Sequence, residues 1–113
     1  MTELPKQFKY IEKAEKATFV WAKDNNIKLY KIEFIVPFLL EDKSLCVYLF
    51  FETDNILDIY SKDGTEERVK EYYLKSLREM SYPNDYLDQI EFIIDSNENV
   101  QTNYDGSYFA RLR

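Results

Sequence analysis

The sequence predicts an α+β domain in which a mostly antiparallel sheet of four to five strands packs with two main helices. Three observations lead to this prediction. Apolar residues recur at helical spacing over residues 5–24 and 66–80, whereas elsewhere they alternate with period two. Polar turn residues separate these segments. No linker, repeat or low-complexity run divides the chain, so we expect residues 1–113 to form a single domain of order α-β-β-β-α-β-(short α)-β.

The first two elements have clear boundaries. Pro5 suits the first turn of a helix over residues 5–24, because a first-turn backbone nitrogen needs no helical partner. Asp24-Asn25-Asn26 has the composition of a helix stop followed by a turn. A strand is then predicted over residues 27–39. Pro37 cannot donate to a sheet ladder, so this part of the strand should lie at an edge or a bulge.

The middle of the chain predicts two more strands and the second helix. Residues 45–52 are apolar on both faces, which indicates a central strand that is covered on both sides. Asp54-Asn55 is interpreted as a turn that leads into a short third strand at 56–60. Thr65 is the predicted N-cap of the second helix, which runs over about residues 66–80.

The last quarter predicts two further strands and a short helix. Residues 87–94 alternate between apolar and polar positions, which is typical of a fourth strand. The segment Asp95-Ser96-Asn97-Glu98 can cap one or two helical turns that continue through Gln101. Residues 107–112 alternate again and are predicted to form a final edge strand.

The composition favours a basic protein partner. The chain carries 15 Lys and Arg against 21 Asp and Glu, a net charge of −6, and residues 54–113 alone hold thirteen acids against seven bases. Nucleic acids and anionic membranes need an excess of Lys and Arg, so neither is expected as a direct ligand. An acidic surface steers basic proteins toward it. A general role of the charge in solubility is the alternative interpretation.

The sequence lacks the residues that most enzymes and metal sites need. It has no histidine and one cysteine, which removes imidazole catalysis, thiolate metal clusters and internal disulfides. Gly64 and Gly106 stand alone, so no phosphate-binding loop is present. Cys46 lies in the most apolar strand, where burial raises a thiol pKa. We therefore expect no enzyme and no cofactor, and a carboxylate-dependent hydrolase is the one catalytic alternative.

The compartment and the contact face follow from the same features. A single cysteine, no signal-peptide core and no apolar run of about 20 residues predict a cytoplasmic protein. Acids and a turn-flanking tyrosine gather between strand three and helix two. No metal-binding Asp-x-Asp-x-Asp-Gly loop is found among them. Carboxylates would pair there with partner Lys or Arg, and the tyrosine would anchor the patch. The predicted partner-binding residues are Asp54, Asp58, Tyr60, Asp63, Glu66 and Glu67.

The C-terminal 24 residues carry a resemblance to a known class of proteins. They contain the pattern Asp95-Ser96-x-Glu98-x-Val100, then Asn103-Tyr104-x-Gly106-Ser107-Tyr108-Phe109, then Arg111-Leu112-Arg113. This pattern resembles the ends of small immunity proteins of bacterial polymorphic toxin and contact-dependent inhibition systems. The resemblance implies a cytoplasmic protein that binds and blocks a cognate toxin domain, often a nuclease. Its residues have structural character: Gly106 for a turn, Tyr108 and Phe109 for packing, the arginines for closing the edge.

Two other binding functions stay open at this level. A phage-type anti-defence protein that mimics DNA would need acids spaced like phosphates over an extended surface, and the balanced charge of the first helix argues against it. A small acidic interaction domain with some other partner is also compatible with the composition. Apart from these binding functions, a homodimeric scaffold is a further alternative.

Overall fold

The computed structural model describes residues 6–35, 45–82 and 84–112. The elements in chain order are α1 (Lys6–Asp24), β1 (Leu29–Ile35), β2 (Leu45–Phe51), α2 (Asp54–Asp63), α3 (Thr65–Glu79), α4 (Asn84–Leu87), β3 (Ile90–Ser96), α5 (Asn97–Asn103) and α6 (Tyr108–Arg111). The fold is α+β as the sequence predicts. The predicted strand end at residues 36–39, with Pro37, lies outside the described residues.

The sheet differs from the prediction in size and direction. The described residues form a sheet of three strands in the order β1-β2-β3, not a mostly antiparallel sheet of four to five strands. β1 is antiparallel to β2, whereas β3 runs parallel to β2. Parallel neighbours need a crossover connection, and the helices between β2 and β3 supply it.

The predicted third strand at 56–60 is wrong because this segment is helical. The Thr53 hydroxyl accepts a hydrogen bond from the backbone N–H of Ile56 at 3.1 Å and caps the start of α2. Ile56, Leu57 and Tyr60 pack against the core at helical spacing. Gly64, with φ of 88°, ends the helix. Over only five residues, the alternation of apolar and polar positions fits either structure.

The predicted final strand at 107–112 is also wrong, and for a similar reason. The Ser107 hydroxyl accepts from the backbone N–H of Ala110 at 3.1 Å, which caps the single turn of α6. The turn before it is closed by a hydrogen bond from the Gly106 N–H to the Val100 carbonyl at 3.0 Å. Local capping thus decides the structure of a segment that is too short for its periodicity to do so.

Other boundaries agree with the prediction or move by a few residues. α1 and the central position of β2 are confirmed, and Ser96 caps α5 within the predicted capping segment. Thr65 is the first residue of α3 rather than its N-cap, and the Asp63 carboxylate accepts its backbone N–H at 2.9 Å. The strand predicted at 87–94 begins later, at residue 90, because a helical turn takes its first positions.

The two faces of β2 are covered by different layers. Leu45, Val47, Leu49 and Phe51 point toward α1 and α3 and form the larger core with residues of those helices. Cys46, Tyr48 and Phe50 point to the opposite face, where the C-terminal segment covers them. The sheet therefore lies between a large helical layer and a smaller layer built from residues 97–112.

Candidate partner-binding surface

Exposed carboxylates gather at the edge of the sheet where β2 and β3 end. Because these strands are parallel, their C-terminal ends lie side by side, and Phe51 is opposite Ser96. The chain leaves β2 through Glu52 into α2 and leaves β3 directly into α5. Glu52, at the end of β2, and Glu98, in the first turn of α5, are both exposed.

Hydrogen bonds join the beginnings of α2 and α5 at this place. The Glu98 carboxylate accepts from the backbone N–H of Asp54 at 2.8 Å, and the Glu98 N–H donates to the Glu52 carbonyl at 3.2 Å. The Ser96 hydroxyl donates to the Asp54 carboxylate. Asp58 lies one turn further along α2. We call the surface formed by Glu52, Asp54, Asp58 and Glu98 the acidic edge.

The six predicted contact residues are not equally available to a partner. Asp54, Asp58, Asp63 and Glu67 are exposed, whereas Tyr60 and Glu66 are half-buried. All six lie on α2 or on the first turn of α3, two helices that follow each other in the chain. Part of this set was expected on a strand. Because the segment is the helix α2, Asp54 and Asp58 lie one helical turn apart instead.

Lysines neutralise part of the predicted face. Lys62 pairs with Asp58 at 3.0 Å on α2. On α3, Lys70 pairs with Glu66 at 3.4 Å and with Glu67 at 3.2 Å. The α3 portion of the face therefore has less free negative charge than its acids suggest.

Two of the predicted residues also hold the fold together. The Tyr60 hydroxyl accepts the backbone N–H of Lys28 at 2.9 Å, and its ring meets Phe51 edge-on at 5.3 Å. Tyr60 thus ties α2 to the start of β1, and its role as an anchor for a partner stays a prediction. Hydrogen bonds from the Thr65 side chain and backbone lower the pKa of Asp63, which identifies it as a helix-capping carboxylate.

Three residues of the C-terminal pattern, Asp95, Ser96 and Arg111, take part in a polar cluster. Asp95 is buried and accepts hydrogen bonds from the Asn99 amide at 2.9 Å and from the backbone N–H of Ser96 at 2.8 Å. It also pairs with the Arg111 guanidinium, and this hydrogen bond raises the pKa of Arg111. Gly106 lies in a turn and Tyr108 packs against the sheet as expected, whereas Phe109 is 75% exposed. The edge strand that the arginines were expected to close is a helical turn, and Arg113 lies outside the described residues.

An aromatic groove between α1 and α3 was missed by the sequence analysis. Trp21 and Tyr72 stack with centroids 4.7 Å apart, and the Arg68 guanidinium lies 5.5 Å from the Trp21 ring. A pocket of about 240 Å³ lies here, and Glu71 and Lys75 complete its lining. Trp21 continues the helical spacing of apolar residues in α1. Trp21 stacks on the half-exposed Tyr72 of another helix, and the spacing of apolar residues along one helix does not reveal a contact of this kind.

One carboxyl group has a strongly perturbed acidity. Burial, with the nearby charges of Glu33 and Glu12, raises the pKa of Glu15 to about 7. One Glu15 carboxylate oxygen and the Tyr73 hydroxyl are buried and have no hydrogen-bond partner among the described residues. The hydrolase alternative needs such an acid inside a deep pocket beside a second acid. Glu15 does not line the pocket at Trp21, so this geometry does not favour it.

The remaining chemistry of the described residues is limited. Cys46 is half-buried, and burial together with the charge of Glu91 raises the pKa of its thiol. In the ranges that the structure describes, no three acidic or cysteine side chains are grouped so that they could hold a metal ion. Within the same ranges, no helix is long and apolar enough to cross a membrane.

Comparison with known proteins identifies no relative: no family model, curated protein or solved structure matches the chain. The resemblance of residues 90–113 to immunity proteins therefore stays a prediction. Function has to be inferred from the residues and from the surfaces that the fold builds with them.

Proposed function

We propose that this chain is an immunity protein that binds a basic toxin domain of the nuclease type and covers its substrate cleft with the acidic edge. The observation that carries the proposal is the convergence of Glu52, Asp54, Asp58 and Glu98 at the junction of α2 and α5. A nuclease cleft presents Lys and Arg to phosphates, and carboxylates on a folded protein can pair with the same groups. Inhibition of this kind needs occupancy and no catalytic residue.

Preorganisation of the acidic edge supports this function. Asp54 and Glu98 are held by hydrogen bonds from Ser96 and from the backbone, so binding would cost little further side-chain entropy. Glu52 and Asp58 extend the edge with exposed carboxylates, of which Asp58 is paired with Lys62. Fixed carboxylates surrounded by exposed ones combine a defined geometry with long-range attraction, which favours fast and specific association.

The ion pairs on α2 and α3 favour a protein inhibitor over a DNA mimic. A DNA mimic presents uninterrupted rows of negative charge that replace phosphates. Here Lys62 and Lys70 lie among the acids and pair with them. A protein partner tolerates such mixed rows because its own surface carries both signs of charge.

The first test is co-expression with the toxin domain encoded by the neighbouring reading frame. The chain should restore growth and should be recovered with that domain as a one-to-one complex. Loss of both results would contradict the proposal.

The second test locates the contact face with two matched variants, Asp58→Lys and Glu79→Lys. Both carboxylates are about equally exposed, at 60% and 66%, and each pairs with a lysine one helical turn away. Asp58→Lys should weaken binding of the toxin domain by about 10-fold or more, since it places like charges opposite each other. Glu79→Lys should change it by less than about 2-fold. Equal effects from both variants, with both proteins folded by circular dichroism, would place the contact elsewhere.

A further inference from the structure

Among the residues that the structure describes, β1 is an edge strand, and its exposed side chains include apolar ones. In the part of the chain that the structure describes, β1 pairs with β2 on one side and with no strand on the other. Tyr30 is 50% exposed and Ile35 is 37% exposed. An edge strand with exposed apolar side chains is a template for a further strand.

The charges on β1 are arranged symmetrically about its central residue. β1 spans Leu29–Ile35, so Ile32 is its midpoint. Lys31 and Glu33 flank Ile32 on the same face of the sheet and form an ion pair at 3.2 Å. A segment with opposite charges on either side of its centre is complementary to its own antiparallel copy.

We propose that β1 pairs with β1 of a second copy of this chain, on a two-fold axis through Ile32, and that the two sheets join into one. In this register Lys31 lies opposite Glu33 of the second copy, and Glu33 lies opposite its Lys31. Each lysine then has a carboxylate beside it in its own strand and another across the interface.

Symmetry and charge select this register over its neighbours. A two-fold axis perpendicular to the sheet keeps every side chain on its own face, and residues directly opposite each other in a strand pair share a face. The residue at the centre therefore has to lie opposite its own copy, and the axis cannot fall between two neighbouring residues of one strand. Centring it on Lys31 would place two lysines opposite each other, and centring it on Glu33 would do the same with two glutamates. Like charges directly opposite destabilise a strand pair. The Ile32 register avoids both and gives the greatest overlap of β1 with its copy.

The bulge in β1 sets the strength of this contact. The register to β2 shifts between Leu29 and Lys31, which leaves regular pairing for the stretch that begins at Lys31. The central positions 31–33 of each copy therefore make the ladder, and exposed Tyr30 and Ile35 lie at its two ends. So short a strand contact predicts a reversible dimer with a dissociation constant of about 1 to 100 µM.

The test is sedimentation velocity of the full chain over a wide concentration range. The wild-type mass should rise from 13.7 kDa toward twice that value as concentration increases. Lys31→Glu and Glu33→Lys each place like charges across the axis, so each should raise the dissociation constant by about 10-fold or more. The double variant Lys31→Glu/Glu33→Lys restores opposite charges and should restore the dimer.

Two comparisons keep the test specific. Lys62→Glu breaks another exposed ion pair, between Lys62 and Asp58, and should leave the dimer unchanged. Lys31 also lies 4.5 Å from the Tyr108 ring, so Lys31→Glu can affect folding, whereas Glu33→Lys keeps that contact. Three results would each overturn the proposal. The wild type could be a monomer at all concentrations, or Glu33→Lys could have the same dissociation constant as Lys62→Glu. The third is a folded double variant that stays monomeric.

Discussion

Glu15 should make the protein less stable above neutral pH, and Glu15→Gln should remove that dependence. Burial beside Glu33 and Glu12 raises its pKa from 4.5 to about 7, so the folded state binds this proton more tightly than the unfolded chain does. The stabilising contribution is therefore complete below about pH 4.5. It is lost as the pH rises through about 7, where the buried carboxyl group ionises.

The size of the effect follows from the two pKa values. The interval from 4.5 to about 7 corresponds to about 3 kcal/mol of unfolding free energy. The side chain of Glu15 is half-buried and water reaches part of it, so we expect about half of this, or about 1.5 kcal/mol. A glutamine at this position stays neutral and loses none of it at high pH.

Urea denaturation followed by circular dichroism at pH 4, 6 and 8 measures this difference. Relative to the wild type, Glu15→Gln should gain about 1.5 kcal/mol between pH 4 and pH 8. Asp24→Asn, which changes an exposed acid of the same helix that is not among the charges acting on Glu15, should shift the curve by less than about 0.5 kcal/mol. Parallel pH profiles for wild type and Glu15→Gln would refute the reasoning.

Two further substitutions test residues that the sequence analysis assigned to structure or to binding. Asp95→Ala leaves the half-buried Arg111 guanidinium without its carboxylate, so it should lower the unfolding free energy by about 3 kcal/mol in the same urea assay. A loss below about 1 kcal/mol would contradict the view that this ion pair holds the C-terminal layer in place. Tyr60→Phe removes the hydroxyl that accepts the backbone N–H of Lys28, so it should lower the unfolding free energy by about 1 kcal/mol. Its affinity for the toxin domain should stay unchanged. A 10-fold loss of affinity in calorimetry would instead support Tyr60 as a binding anchor.

Local signals predicted the elements that are long or well capped. α1 has several turns of helical periodicity, and β2 is apolar on both faces because both of its faces are covered. Ser96 caps α5 as its sequence suggests. The short segments failed, because five or six residues hold too little periodicity to separate helix from strand. Capping by Thr53 and Ser107 decided those cases.

The candidate site was predictable in composition but not in arrangement. The excess of acids after residue 53 is visible in the sequence, and so is their concentration around α2. Helix geometry decides which acids are neutralised. Glu66 and Glu67 precede Lys70 by four and three residues, and a helix places residues at these spacings on one face, where Lys70 can reach both. Glu98 enters the site through a contact with Asp54 that spans 44 residues of sequence, beyond any local signal.

The correction to the strand direction is what produces the acidic edge. If β3 ran antiparallel to β2, the chain would leave β3 at the end of the sheet opposite the end of β2, and Glu98 would lie far from Glu52 and Asp54. Because β3 is parallel to β2, α2 and α5 begin side by side, and each brings a carboxylate to the other's first turn. The negative charge of the second half of the chain thus becomes a local feature of one edge through topology. A charge change at Glu52 or Asp58 should therefore affect partner binding more than the same change at an equally exposed acid elsewhere.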